Sequence, residues 1–411
     1  MSAAERPGAD VVVVGAGPAG LMAAERLLAA GHRVTVVERM RTPARKFLVA
    51  GRGGLNLTHD GAVDDLLDRY GPARDRLSGA VRAFGPDDLR AWAAELGQGT
   101  FVGTSRRVLP DRLLAAPLLA AWTDRLASAG VDLRTRLTWT GWSGDRPTFA
   151  DAEGATVELA ADATVLALGG ASWPRTGSDG SWVGPLRSAG VRVEPLRASN
   201  CGVLIGWSDT FRERFDGAPV KNVRLRVGGR SARGEALVTA TGLEGGAVYA
   251  LSSDLRDALD GGGSVVLEAD LRPDLDAAAL AGRIGRRRPK DSTSTALRRV
   301  GGLTAVAVGL MREATGNVLP EGADELAALA KAAPLPVRGT SPIEEAISTA
   351  GGISLDEVDG SYMLRRRPGV FVAGEMLDWD APTGGYLLQA VFSTAVAAAE
   401  GAIAWLRDRP S

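Results

Sequence analysis

The stretch that most constrains this chain is Val11 to Gly20, VVVVGAGPAG, continued by LMAAERLLAAGHRVTVVER. Four β-branched residues make a short apolar strand of the kind buried on both faces of a parallel sheet. Gly15, Ala16, Gly17, Pro18, Ala19 and Gly20 turn the chain sharply, and Leu21 to Ala30 continue as an Ala/Leu helix ended by Gly31. Val34 to Val37 form a second strand, with Glu38 at its tip and Arg39 just beyond. This is a βαβ unit with G-x-G-x-x-G at its first turn and an acid eighteen residues after the third glycine. The glycines allow a tight turn and close backbone approach. The helix start offers N–H groups and a positive dipole to a pyrophosphate, and the carboxylate is placed for ribose hydroxyls. The glycine spacing alone carries little; the strand, turn, helix and acid together predict a dinucleotide site.

Composition then limits the chemistry. A chain of 411 residues has room for two or three domains, and 45% hydrophobic with 24% charged residues is ordinary for a globular protein. A net charge of −1 gives no overall electrostatic case for nucleic acid or an anionic membrane. The single cysteine, Cys201, excludes an intramolecular disulfide and a CxxC pair, and reads as a buried core thiol. Two histidines, His32 and His59, are too few to suggest a His-based metal centre, and His32 reads as structural. Redox chemistry would therefore come from an organic cofactor. The sequence has neither a signal-peptide pattern nor a run of roughly 18 apolar residues, so a cytoplasmic protein away from membranes is expected.

Along the chain, residues 40–60 read as a glycine-rich, cationic loop rather than a helix, and 61–97 as helical with Pro86 in a first turn. A helix from Leu113 to Ala129, a strand from Val131 to Leu137 and a small β-meander from Trp139 to Leu159 follow. TVLALGG (164–170) is a second buried strand, ending in Gly169 and Gly170. From Val191 to Leu271 short alternating runs between Gly, Asn and Asp suggest an antiparallel barrel or sandwich, and 274–332 has helical periodicity. GRRRPK (285–290) reads as a solvated turn, with anion binding the minority option. Val370 to Ala373 is a further buried strand, and Tyr386 to Leu406 a long last helix.

Three places have the residue types for cofactor chemistry. Gly374-Glu375 delivers a carboxylate to the carboxyl edge of the sheet, suited to ribityl hydroxyls or to capping the loop. Thr383-Gly384-Gly385-Tyr386 opens the last helix with exposed N–H groups, and its dipole favours the anionic charge of a reduced flavin near N1. In GRGGLNLT (51–58), Arg52 suits a phosphate and Asn56 the pyrimidine edge of a flavin. His59, Trp379 and Tyr386 are weak candidates for proton transfer, and His59 reads more readily as a solvent-facing loop residue.

These motifs, VVVVGAGPAGLMAA…VVER, KFLVAGRGGLNLTH, RRVLP, ALGGASWPRTGSDG, TAGGISLDEV and VFVAGEMLDWDAPTGGYLLQAVFSTA, resemble in order the BaiN/YhiN-type NAD(P)/FAD-dependent flavoproteins. That group includes bile-acid enone reductases and aminoacetone oxidases. The resemblance implies that Gly15, Gly17 and Gly20 meet the pyrophosphate and Glu38 the adenosine ribose. It puts Lys46, Arg52, Gly53, Gly54, Asn56 and Leu57 in a flavin-contacting loop. Gly374, Glu375, Gly384, Gly385, Tyr386 and Leu387 fall around the ribityl chain and ring. Two departures stand out: Leu55 replaces the loop cysteine of many members, implying a subgroup without it, and Trp173 replaces a usual tyrosine.

The expectation is an α/β protein with a Rossmann-like FAD-binding domain discontinuous in sequence, residues 1–190 and 341–411. An antiparallel β-rich domain (191–272) and a small helical unit (273–340) would be inserted in it. The function expected is FAD-dependent hydride transfer through flavin N5 to or from a small organic substrate. NAD(P)H would be a transient reductant or oxygen an acceptor, since no second dinucleotide motif is present. No nucleic-acid or membrane partner is expected, and nothing in the sequence bears on oligomeric state. The alternatives are a non-catalytic flavin- or nucleotide-binding protein, RNA-associated or regulatory, and a flavoprotein hydroxylase or dehydrogenase of the wider superfamily.

Overall fold

The computed structural model describes residues 8–50, 54–103 and 105–409. The chain divides into two compact units, one running to Arg197 and resuming at Ser348, the other Ala198–Ile347.

The first unit is built on a five-stranded sheet ordered Val370–Val372, Ala163–Leu166, Asp10–Val14, Arg33–Glu38, Asp132–Thr135. Every pairing is parallel, with Val11 beside both Ala163 and Val34. Val11 to Val14 are at most 2% exposed, so an unbroken valine run is what this central strand requires. The helix Pro18–Ala29 crosses from the central strand to one neighbour, with Pro18 at its first position, where the missing N–H costs nothing. The other side is completed by Val370–Val372, from just over 200 residues beyond its partner strand. The switch in strand order therefore falls at the end of the first strand, where ligands of open α/β sheets bind. The last helix, Tyr386–Asp408, packs into the same core through Ala390, Ala395, Ala398, Ala399 and Ala402, all fully buried. Among the described residues it is the one helix long and apolar enough to span a membrane, and its apolar stretch is 56% buried inside the fold.

A short helix, Arg45–Ala50, stands where the sequence suggested loop only. It is one and a half turns, held by Phe47 in the core and by backbone bonding from Leu48 to Ala44, a length at which tertiary packing rather than periodicity decides.

The second unit is a closed six-stranded antiparallel barrel: Val203–Ile205, Gly242–Glu244, Arg230–Thr239, Pro219–Val227, Val265–Asp270, Ala333–Thr340. Val223, Leu225, Val238, Leu267 and Leu335 point inward. Helices Ala277–Gly285, Thr293–Arg299, Ala305–Ala314 and Ala323–Lys331 intervene before the last strand. The β-rich and helical segments thus share one unit and one core. The sixth strand lies in a stretch read as helical because Pro334 and Pro336 conceal it. Both prolines alternate outward while Ala333, Leu335 and Val337 face the barrel interior.

Candidate functional site

The carboxyl edge of the parallel sheet gathers four strand ends around one helix start. The Gly15 N–H donates to the Val37 carbonyl at 2.7 Å, and Ala373 N–H to the Leu166 carbonyl at 2.9 Å. Two of the motif glycines are there because backbone is pressed against them. A Cβ on Gly15 (φ 101°) would lie 2.4 Å from the Ala167 oxygen, and one on Gly20 would lie 1.8 Å from the Gly15 oxygen. Gly17 differs, because a Cβ there would meet nothing within 4 Å. Gly17 caps the helix from an extended conformation with no side chain over the free N–H groups of its first turn. The open space lies where an anion on this helix start would sit. Ala16, Pro18 and Ala19 fill the turn between them; Ala19 also lies 2.9 Å from the position of a Cβ on Gly374, which holds the end of strand Val370–Val372 against the same helix.

Glu38 is 9% exposed, and its two carboxylate oxygens accept from the backbone N–H of Ala16 (2.9 Å) and Met40 (2.8 Å). Burial pushes its carboxyl above the usual range, against the pull of those N–H groups and of Arg39. Beside it, the Ser178 hydroxyl is buried without a hydrogen-bond partner, 3.3 Å from where a Cβ on Gly169 would be. Such a hydroxyl calls for a ligand or water. Arg39 turns to Asp179 at 2.5 Å, clamping the ALGGASWPRTGSDG loop. Burial raises the Asp179 carboxyl, but hydrogen bonds from Arg39 and Ser181 outweigh it and leave the group below the usual range.

A second group surrounds Glu375. Lys46 Nζ lies 2.8 Å from its Oε2 and donates to Ser172 Oγ at 2.7 Å. The Thr349 and Gly170 N–H groups donate to the same carboxylate at 3.0 and 3.3 Å. Glu375 thus ties four separate chain segments together. Trp379, raised as a proton-transfer candidate, is 4% exposed; its indole donates to the Gly374 carbonyl at 3.0 Å and its ring meets the edge of Tyr70. That makes it a prop for the strand end.

The third group lies at the start of the last helix. A Cβ on Gly385 (φ 103°) would fall 2.2 Å from the Thr58 oxygen, so only glycine lets the GRGGLNLT strand pass here. The Thr58 hydroxyl donates to Gln389 at 2.6 Å, and Gln389 donates to the Phe84 carbonyl at 2.9 Å. His59 stacks on Tyr386 at 4.8 Å between ring centroids, with its Nδ1 3.3 Å from the Gly384 carbonyl. That carbonyl only accepts, so a ring bonded to it carries its proton on Nδ1 and presents Nε2 as an acceptor. Burial lowers the His59 pKa, and Arg106 and Arg69 add to it against the Gly384 hydrogen bond and Asp60. Burial raises that of Tyr386 against nearby Arg69 and Arg107. Leu387 is half-buried behind it.

Of the residues expected in a flavin-contacting loop, Arg52 and Gly53 lie outside the described residues. Gly54 takes φ 116°, Asn56 is half-buried, and Leu55 and Leu57 are core residues at 1% and 0% exposure. Leu55 therefore occupies a packing position where the resembling proteins place a thiol. The sequence reading passed over Arg69, Arg107, Thr349, Ser172 and Ser178. Arg107, Thr349, Ser172 and Ser178 lie inside the motifs quoted above; Arg69, on a stretch of alternating charges, has no distinguishing signal. Among the described residues no group of three His, Cys, Asp or Glu could hold a metal.

The family described as HI0933-like protein Rossmann domain matches residues 9–401. A relative from Escherichia coli (strain K12), ribosomal RNA dihydrouridine synthase, is 26% identical over 96% of this chain and 98% of its own length. Among solved structures, 3-ketosteroid delta1-dehydrogenase from Sterolibacterium denitrificans superposes with a TM-score of 0.55 at 14% identity, covering 97% of this chain and all of that one. A flavocytochrome c3 fumarate reductase gives 0.53 at 16% identity, over 99% of this chain and 80% of that one. At these identities the two structures establish a shared fold.

Proposed function

The chain belongs to the HI0933-like protein Rossmann-domain family, and on that premise we propose that it is an FAD-dependent oxidoreductase of the BaiN/YhiN type. The observation that carries this reading is the cradle at Gly17: open space over an uncapped helix start, between two glycines locked by backbone and beside Glu38. FAD bound there would supply a hydride-transferring N5. Every other role falls to the protein.

The N–H groups of the Gly15–Gly20 turn hold the pyrophosphate. Each Glu38 oxygen, besides its backbone donor, has capacity for a ribose hydroxyl, and Ser178 Oγ offers a further donor. The Lys46–Glu375 pair fixes the loop and strand end that would help hold the cofactor. The Gly384–Gly385 turn opens the last helix, 23 residues long, whose N-terminal dipole would favour the negative charge of a reduced flavin held near it. In reduction of a substrate the Tyr386 hydroxyl would donate the proton that accompanies hydride, and in the oxidative direction His59 Nε2 would accept one.

The substrate favoured is a carbon–carbon double bond conjugated to a carbonyl, electron-poor enough to take hydride. Two readings share that chemistry: a small enone, implied by the resemblance, and the uracil ring of uridine in RNA. The second is supported by end-to-end alignment with a relative named for making dihydrouridine.

Purified protein is expected to carry flavin absorbance, and the cofactor released by heat to be FAD. Gly17→Val is expected to weaken FAD binding at least tenfold while flavin-free protein keeps its melting temperature. A wild-type protein that takes up no FAD on refolding with excess cofactor overturns the reading. Anaerobic bleaching of the flavin by NADH or NADPH would mark a reductase; peroxide released from an amine without nicotinamide would mark an oxidase. Dihydrouridine formed in added ribosomal RNA would decide between the two substrates.

A further inference from the structure

The inserted unit carries as many acids as bases, nineteen of each between 198 and 347, yet the charges are segregated. Residues 283–299 hold seven cations, Arg283, Arg286, Arg287, Arg288, Lys290, Arg298 and Arg299, against one acid, Asp291. This segment joins the last turn of helix Ala277–Gly285 to helix Thr293–Arg299. Asp291 is consumed internally: it accepts from the Arg288 N–H and pairs with Arg299. Arg287 donates to the Glu321 carbonyl. The other five, Arg283, Arg286, Arg288, Lys290 and Arg298, are exposed, and among the described residues none has a carboxylate partner.

Elsewhere in the unit the pattern is different, with Arg233 on Asp274, Arg212 on Asp209, and Lys331 on the buried Asp270. Compensation of helix dipoles accounts for Arg283 and Arg298, which lie in last turns. It does not account for Arg286, Arg288 and Lys290, which lie past one helix and before the next. Unpaired like charges so close together repel one another, and a polyanion relieves that repulsion while releasing its own counterions.

We propose that this edge of the inserted unit is a docking surface for the phosphate backbone of RNA, the uncompensated cations at 283–298 meeting successive phosphates. The proposal rests on the RNA reading of the substrate given above. A near-zero net charge for the whole chain does not oppose it, because screening confines electrostatics to about 8–10 Å and a local cluster is what a phosphate meets.

The test uses the full-length, FAD-loaded protein and fluorescence anisotropy with protein-free ribosomal RNA across a range of salt. The quintuple variant R283Q/R286Q/R288Q/K290Q/R298Q is compared with a control neutralising Arg212, Arg214 and Lys221. Five phosphate contacts predict a log–log salt slope steeper by about 3 to 4 in wild type than in the quintuple variant. They also predict at least tenfold weaker binding by the variant at moderate salt, unchanged flavin absorbance, and wild-type behaviour of the control. Equal RNA affinity and slope in the variant overturns the surface while leaving the RNA reading standing. No RNA binding by flavin-loaded wild type overturns both and leaves the flavin reading. Binding to phosphatidylglycerol vesicles but not to RNA likewise overturns the proposal.

Discussion

Glu38 and Glu375 both stand where a buried parallel strand runs out at the same sheet edge, yet their surroundings differ in kind. Glu38 is held by two backbone N–H groups within its own βαβ unit and is buried at the expense of its charge. Glu375 is neutralised by a lysine 329 positions away and also accepts from two backbone N–H groups on other segments. The first carboxylate is under-compensated and ready for further donors. The second is a tie that closes a domain split in sequence. An acid at a strand tip is therefore not one kind of residue; what defines it is the cation, if any, that the tertiary fold brings to it.

The largest expected effect breaks the Glu38 end. Gly20→Ala should be favourable by helix propensity, by about 1 kcal/mol. Its Cβ would instead strike the Gly15 carbonyl oxygen at 1.8 Å, so we expect a net loss of about 3 kcal/mol in urea unfolding. A neutral or stabilising result would show that the turn supporting Glu38 is loosely packed.

Next comes the tie. Lys46→Met leaves the Glu375 carboxylate without its cation and should cost roughly 2 kcal/mol. Glu375→Gln in the same chain should recover part of it, giving a coupling of about 1 kcal/mol or more in a double-mutant cycle. Lys46→Met combined with Glu38→Gln should be additive. Coupling in that second cycle would erase the distinction between the two acids.

A smaller effect is read from pH. Because the folded Glu38 carboxyl holds its proton more tightly than the unfolded chain does, the unfolding free energy of flavin-free protein should fall as pH rises past 4.5. Glu38→Gln should remove that slope. Asp179 acts in the opposite sense: its contribution is present above 3.8 and lost as pH falls through its lowered folded value. A wild-type-minus-Gln difference curve that stays flat between pH 4.5 and neutrality would contradict the burial of Glu38.

The smallest change in stability is expected at Tyr386→Phe, within about 0.5 kcal/mol, because the ring stays stacked on His59 and only the hydroxyl is lost. Its effect should fall on turnover and its pH profile. An unchanged profile would remove Tyr386 as the proton donor.

What could be read from the chain without its fold is the part built from neighbours in sequence. The valine strand, glycine turn, Pro-started helix and Glu38 lie within some thirty residues, so their spacing determines their geometry. The alternating strands from Val191 and the last helix announce themselves by period in the same way. The bipartite sheet was legible too, because Val370–Val372 is a short, wholly apolar run ending at Gly374-Glu375, and it takes an edge of the sheet with all three residues buried.

Tertiary structure alone decided the rest. It paired Lys46 with Glu375, placed Arg69 and Arg107 around Tyr386, and put Trp379 beneath Gly374 as a prop. It also turned Leu55 and Leu57 inward and closed the barrel with a strand hidden behind two prolines. The physical reason is common to all of these. Local geometry follows from backbone sterics and side-chain periodicity, which act over a few residues. Burial and charge compensation depend on which distant segments arrive at the same place, and only the folded chain specifies that.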